Sequence, residues 1–317
     1  MSKTLLLLYK ASVAHLNNLQ KIAPDWSILH TTEKVVAEKM IENAEVVMGN
    51  HHLCESLPFN KQQLKWVQTN SVGIDFILKK CGSNLEGKIV TNAKGVYNNE
   101  ICEHTIGLIL TLQRNLHLIR DAQQEHRWER PMQLPLLSGK QAMIIGYGSL
   151  GKAIEEKLTM FGMKIFGVNT NTQYFFDETN TTKKHWKELL PAIEIVVLAL
   201  PYTKDTINYF GEKEIVQLSP NAIIINIGRA GTLDEKTLYT QLIAGKIRGA
   251  ALDVFNDEPL DATHPAWDIK NLFVSPHMAR SREINPPFQF EKLFEENFSR
   301  YINKKPLLNI VDTIKGY

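Results

Sequence analysis

Apolar residues in this chain recur in short compact blocks, separated by stretches whose apolar positions return every three or four residues. Blocks at 142–145, 164–168, 195–200, 222–227, 249–254 and 272–275 read as strands. Near-continuous runs such as Ile223-Ile224-Ile225 suit strands buried on both faces, as in a parallel sheet. Between the blocks, Leu150, Ile154, Leu158 and Phe161 fall at helical spacing. Leu233 to Ala244 predicts a second helix, with Gly245 as its C-terminal cap. Strands alternating with helices in this way predict a doubly wound α/β sheet.

The first hundred residues repeat the alternation on a smaller scale, with strands predicted at 4–8, 26–30, 45–49, 64–68 and 88–91. Thr31 or Thr32 is placed to cap a helix through Val35, Val36, Met40 and Ile41. A long helix rich in Ile and Leu is predicted over 99–124, and a last one over 288–303 with Phe288, Phe290, Leu293 and Phe298. The pattern divides the chain into a smaller α/β domain, 1–98 with 284–317, and a larger one, 99–283. A cleft between two such domains is the expected place for a ligand.

Six residues sharpen this picture. Gly146-Tyr147-Gly148-Ser149-Leu150-Gly151 fits G-x-G-x-x-G, with the strand Ala142 to Ile145 before it and an amphipathic helix after. Glycines there permit a tight turn and let backbone approach a pyrophosphate, which the free N–H groups and dipole of the helix start attract. Such a spacing also arises by chance, so the rest of the chain has to decide.

Ligands of an open parallel sheet sit at the carboxyl ends of its strands. Here those ends carry the glycine turn, Asn169-Thr170, Leu200-Pro201, Ile227-Gly228-Arg229, Asp253 with Glu258 beyond it, and Ser275-Pro276-His277. Singly, each polar residue has an ordinary structural explanation. Together they bring an Arg, two acids and a His to the edge that holds the dinucleotide.

These segments carry a family resemblance. Asn226-Ile-Gly-Arg-Ala-Gly-Thr-Leu-Asp234, Gly249-Ala-Ala-Leu-Asp-Val-Phe-Asn-Asp-Glu-Pro259 and Ser275-Pro-His-Met278 resemble the signature blocks of the D-isomer-specific 2-hydroxyacid dehydrogenases. Trp66-Val-Gln-Thr-Asn-Ser-Val-Gly-Ile-Asp75 resembles the family's substrate loop. Thr91 to Tyr97 with Glu103-His104 resembles the entry to its crossing helix, and Leu307 to Asp312 its C-terminal end. The resemblance implies a dinucleotide-binding Rossmann domain, a smaller flavodoxin-like substrate domain, and hydride transfer between NAD(P)H and a small 2-keto acid.

It also implies roles. Arg229 would hold the substrate carboxylate and reacting oxygen through its planar fork. His277 would protonate the carbonyl oxygen in reduction and take the proton back in oxidation, as an imidazole can near neutral pH. Glu258 would orient His277 and favour its charged form, and Asp253 would fix the nicotinamide carboxamide. Ser71, Val72 and Gly73 would bind substrate. Tyr147, Gly148, Ser149, Leu150, Gly151, Asn169, Thr170, Leu200, Pro201, Ile227, Gly228 and, again, Arg229, Asp253 and His277 would contact the dinucleotide.

Two positions depart from the family. Asn169 stands where an acid usually bonds the ribose 2′-hydroxyl of NAD; no carboxylate repels a 2′-phosphate there and no Arg attracts one, and the reading leans to NADP over NAD, or to use of both. Asn70-Ser71 replaces the commoner Ala-Gly. The Trp-Val-Gln opening and Gly95-Val96-Tyr97 resemble members acting on glyoxylate, hydroxypyruvate or similar acids. Formate dehydrogenases would carry Gln at Glu258, and many 3-phosphoglycerate dehydrogenases would carry an extra regulatory domain that is not expected after Asp312; a short phosphoglycerate enzyme stays among the alternatives.

Composition narrows the alternatives. At 317 residues the chain has room for two cores, and a net charge of +2 argues for neither nucleic acid nor a membrane surface. Lys183-Lys184 and Lys304-Lys305 read as solvated surface. No stretch approaches the ~18 apolar residues of a membrane span. Three scattered cysteines, Cys54, Cys81 and Cys102, fit a reduced, cytoplasmic protein. His51-His52 with Cys54 lacks a second ligand pair, so no metal is expected. Trp128 reads as a packing residue or one that approaches the site, and the long helix as a homodimer interface in this family. The competing function is a dinucleotide-sensing, corepressor-like binding protein on the same fold.

Overall fold

The computed structural model describes residues 3–49, 51–54, 57–130, 134–176, 183–280 and 288–316. The chain divides into two compact units, Met1–Tyr97 with Arg282–Tyr317, and Asn98–Ser281.

The smaller unit opens with β1 (Thr4–Leu8), α1 (Val13–Ile22), β2 (Ser27–His30), α2 (Lys34–Met40), β3 (Ala44–Gly49) and α3 (His51–Cys54). It continues through β4 (Trp66–Thr69), α4 (Asp75–Cys81) and β5 (Ile89–Thr91). The five strands are parallel in the order β2-β1-β3-β4-β5, the flavodoxin-like order. The run Leu5 to Leu8 is apolar throughout because both of its faces are covered. Leu6 and Leu8 pack with Val47 and Val67 in one core, and Leu5 and Leu7 with Trp66, Phe294 and Phe298 in the other. The last helix, Phe290–Ile302, supplies that second layer through Phe290, Phe294 and Phe298, one turn apart and all buried. Residue 284, an expected boundary of this unit, lies outside the described residues. The cap of α2 differs from expectation: Glu33 is its N-cap, without a side-chain bond, and the Thr31 hydroxyl accepts from the Glu33 amide.

The larger unit runs α5 (Asn98–Gln113), α6 (Leu116–Gln124), β6 (Gln141–Ile145), α7 (Ser149–Met160), β7 (Lys164–Val168), β8 (Tyr174–Phe176) and β9 (Lys183–His185). Then follow α8 (Trp186–Leu189), β10 (Ile195–Leu198), α9 (Glu212–Ile215), β11 (Ile223–Asn226), α10 (Glu235–Ile243), β12 (Gly249–Leu252) and β13 (Leu272–Val274). Six parallel strands lie in the order β13-β12-β11-β10-β6-β7, with separate cores on the two faces. The chain moves outward from β6 to β7 on one side, then crosses back to β10. The switch point, where an open sheet binds its ligand, is therefore between the carboxyl ends of β6 and β10.

Three features depart from the expected pattern. The long helix predicted over 99–124 is two helices, broken at Asn115, whose φ of 54° is left-handed. Asn tolerates that conformation better than most residues, and its Oδ1 accepts from Arg248 Nη2 at 3.0 Å. Phe161 ends α7 rather than joining its buried face, and is 41% exposed. An antiparallel hairpin, β8 with β9, stands between β7 and β10, where no strand was expected. No described helix is long and apolar enough to cross a membrane.

Candidate active site

The glycine turn closes the carboxyl end of β6. Gly146 has φ +98°, and a Cβ there would lie 2.5 Å from the backbone C and O of Ala199. A Cβ on Gly228 would lie 2.8 Å from both N and O of Leu200. The start of the Leu200-Pro201 segment is thus held between two bare backbones, and only glycine allows that approach at either side. The amides of Gly146 and Tyr147 both donate to Val168 O, at 3.0 and 2.9 Å, which fixes the turn to the end of β7. Helix α7 then starts at Ser149, with Gly148 as an N-cap that contributes no side-chain bond. A helix start without a side-chain cap, reached over bare backbone, fits a dinucleotide pyrophosphate. The Tyr147 ring lies against Gly167, where a Cβ would come within 2.3 Å of it. Burial, together with the bond to Glu155, pushes the Tyr147 phenol up to about 12.

Asn169 is spent on the turn that follows β7. Its Oδ1 accepts from the amides of Asn171 and Thr172, both at 2.8 Å, and its Nδ2 donates to Tyr147 O at 3.3 Å. The side chain therefore links the two loops, while Thr170, Asn171 and Thr172 are exposed beside it.

The chemistry-bearing residues follow three adjacent strands. Asn226 of β11 pairs with Leu252 of β12, and Leu252 with Val274 of β13. The segments beginning at Ile227, Asp253 and Ser275 therefore leave the sheet side by side. Asn226 shapes the first of them: its Oδ1 accepts from the Gly228 amide at 3.1 Å and its Nδ2 donates to Arg229 O at 3.2 Å. Arg229 is half-buried, and its Nη1 donates to Gly228 O at 2.8 Å. Glu258 joins the second segment to the third. Its Oε1 accepts from the Phe255 amide at 2.9 Å and its Oε2 pairs with His277 Nδ1 at 2.7 Å.

This pair is not explained by stability. The side chains are 53% and 35% exposed, so the pair contributes at most about 1 kcal/mol. His277 meanwhile sits at φ 51°, a conformation that costs a non-glycine residue about 1–3 kcal/mol. His277 thus carries backbone strain that its own salt bridge does not offset, at the carboxyl end of β13.

Asp253 does something other than reach outward. It is 1% exposed. Its Oδ1 accepts from Ser275 Oγ at 2.5 Å and the Met278 amide at 2.9 Å, and its Oδ2 from the Ala279 amide at 3.0 Å. His104 Nε2 lies 3.3 Å from Oδ1. Burial alone would raise this carboxyl, but the bonds from His104, Ser275, Met278 and Ala279 outweigh it and hold the group below the ordinary aspartate range.

In the smaller unit, Ser71, Val72 and Gly73 form the loop between β4 and α4. Three successive carbonyls are tied down: Asn70 O accepts from Tyr97 Oη at 3.0 Å, Ser71 O from the Ala93 amide at 3.0 Å, and Val72 O from Asn92 Nδ2 at 2.7 Å. Val72 itself is 39% exposed.

Sequence reasoning named Glu258, His277 and Asp253, but missed that Ser275 and His104 meet the last of these. The His104 side chain comes from α5, far away in the chain, and no spacing rule links them. Trp128 is 90% exposed. The side chains of His51 and His52 lie outside the described residues, and among the described residues no cluster of three or more His, Cys, Asp or Glu is placed to hold a metal ion.

Comparison with known proteins decides the family. Residues 106–279, more than half the chain, match the model of the D-isomer specific 2-hydroxyacid dehydrogenase, NAD binding domain. The chain belongs to this family. It is 33% identical to a glyoxylate reductase of Aeropyrum pernix over 260 residues, 79% of this chain and 77% of that protein. The crystal structure of a D-isomer specific 2-hydroxyacid dehydrogenase family protein from Aeromonas salmonicida superposes with a TM-score of 0.81 at 28% identity, covering 99% of this chain and 100% of the other. An NADPH-dependent glyoxylate/hydroxypyruvate reductase from Sinorhizobium meliloti, in complex with NADP and sulfate, shares the fold at 23% identity, with a TM-score of 0.80 and 100% of both chains covered. This member is an NAD(P)-dependent oxidoreductase that interconverts 2-keto acids and D-2-hydroxy acids.

Proposed function

We propose that this dehydrogenase reduces a small 2-keto acid of the glyoxylate or hydroxypyruvate kind, with NADP(H) preferred over NAD(H). The bond between His277 and Glu258, at the sheet edge that also carries Arg229, is the observation that carries the reading.

The bound nicotinamide supplies the hydride. What the chain supplies is alignment and a proton. Arg229 holds the substrate carboxylate and the carbonyl oxygen, its planar fork suiting two charge-assisted bonds. With Nδ1 of His277 engaged by Glu258, Nε2 is left to donate its proton to the carbonyl oxygen as the hydride arrives, and to accept it back in oxidation. Ser71 and the amides of Val72 and Gly73 bind the carboxylate from the smaller unit, on a loop whose carbonyls are tied down. Tyr147 to Gly151 take the pyrophosphate; Leu200, Pro201, Ile227 and Gly228 line the path of the dinucleotide.

The NADP preference rests on Asn169. No carboxylate stands there to repel a 2′-phosphate, and Thr170, Asn171 and Thr172 are exposed beside it as donors. Asp253 contributes by holding the His277 segment through the bonds it accepts from Ser275, Met278 and Ala279. We also propose a homodimer, supported by the exposed apolar side chains Leu116, Leu118 and Ile119 on α6 and by Trp128 beyond it. The three free, buried cysteines support a reducing, cytoplasmic setting. A panel of glyoxylate, hydroxypyruvate, pyruvate and phenylpyruvate, assayed with NADPH and with NADH, tests substrate and cofactor together. Fastest turnover of the first two with NADPH is expected; preference for phenylpyruvate or for NADH contradicts it.

A further inference from the structure

The bonds around Asp253 bracket His277. Ser275 lies two residues before it; Met278 and Ala279 are the two residues after it, and all three donate to the same carboxylate. The left-handed backbone of His277 is the turn those bonds enclose.

A fourth group enters from outside the sheet. His104, in α5, places Nε2 3.1 Å from Ser275 Oγ and 3.3 Å from Asp253 Oδ1. The proton inventory is determined. A carboxylate only accepts, and the single hydroxyl hydrogen of Ser275 points to Asp253 at 2.5 Å. The hydrogen between His104 and these two oxygens must therefore be on Nε2, shared by both. His104 thus completes the coordination of a buried acid whose other partners hold the His277 turn.

We propose that His104 is a positioning residue for the reduction: its Nε2–H, acting through Asp253 and Ser275, keeps the His277 turn in the conformation that presents the imidazole. The proposal rests on the assignment of His277 as proton donor. It gives α5 a part in the reaction that packing alone does not require, since a nonpolar side chain at 104 would fill the space but take away the N–H that Asp253 Oδ1 shares with Ser275 Oγ.

Two variants of the full chain test it. His104→Phe removes the donor; His104→Gln keeps an N–H near the place of Nε2. Amide hydrogen exchange of residues 275–280, measured without dinucleotide, is expected to quicken about tenfold or more at Met278 and Ala279 in His104→Phe and to stay near wild type in His104→Gln. In the same variants kcat is expected to fall about tenfold to a hundredfold for Phe, with the keto-acid KM and the dinucleotide Kd within about twofold, and to recover for Gln. If the Phe variant does not fold, His104→Asn, whose shorter amide falls short of Asp253, takes its place. Unchanged exchange without the donor overturns the proposal. So does quickened exchange with kcat intact, or a loss that Gln does not restore. A wild-type chain that turns over no keto acid defeats the assignment of His277 instead, and the exchange arm then still decides whether His104 holds the turn.

Discussion

Glu258 divides its two oxygens between a backbone and a catalytic candidate: Oε1 takes the Phe255 amide and Oε2 takes Nδ1 of His277, 2.7 Å away. The first bond fixes the carboxylate, and the second then fixes the imidazole. Glu258→Gln has one oxygen for two donors, so it serves only one of them. Steady-state kinetics are expected to show kcat down about tenfold for Gln and about a hundredfold for Ala, within the range of general acid–base catalysis. Because the pair is partly exposed, the melting temperature should move by no more than about 1 kcal/mol implies. Equal losses of activity and stability would contradict the assignment.

Arg229 is expected to act through geometry as well as charge. Arg229→Lys retains the charge but loses the fork that meets a carboxylate with two parallel bonds. At about 1.5–3 kcal/mol for a bond to a charged group, kcat/KM should fall at least tenfold for Lys and further for Gln. A Lys variant with wild-type kcat/KM would remove bidentate binding from the account.

The cofactor preference has its own test at Asn169. Asn169→Asp sets a carboxylate where the 2′-phosphate is expected, and also loses the Nδ2 donation to Tyr147 O. Titration of dinucleotide against protein fluorescence should show NADPH binding weakened about tenfold, the repulsion of like charges at short range. NADH binding should weaken less. Equal weakening of both would assign Asn169 to turn structure alone.

Acid stability should report the Asp253 network. Its carboxyl titrates lower when folded than the ~3.9 of an unfolded aspartate. The resulting stabilisation is fully present above that unfolded value and is lost as pH falls through the folded one. Melting temperatures from pH ~5 down to ~2 should fall less steeply for Asp253→Asn than for wild type, from a lower starting point, over the span of those two values. Parallel curves would show that Asp253 contributes nothing to acid unfolding.

Much of the fold is legible because its strands are buried on both faces. Leu5 to Leu8 and Ile223 to Ile225 are apolar throughout, and such runs have few other uses. Ends of strands locate the polar residues, so Arg229, Asp253, Glu258 and His277 are visible as a group. What the sequence hides depends on contacts across long stretches of chain. Asn115 breaks the helix in a conformation supported by Arg248, and nothing local announces it. The β8–β9 hairpin lacks an alternating apolar pattern, since Lys183 and Lys184 are exposed on it. Asp253 looks from its position like a ligand of the dinucleotide, yet its oxygens are filled by Ser275, Met278, Ala279 and His104, which only the folded chain brings together.

The most direct test compares wild type with His277→Ala in NADPH and NADH oxidation driven by glyoxylate and hydroxypyruvate. Wild type should turn over at least one of these acids. The variant should bind dinucleotide normally and lose about two to four decades in kcat, the usual reach of a general acid. Turnover by His277→Ala near the wild-type rate would contradict the mechanism. A wild-type chain that binds dinucleotide tightly but turns over no keto acid would contradict the function itself.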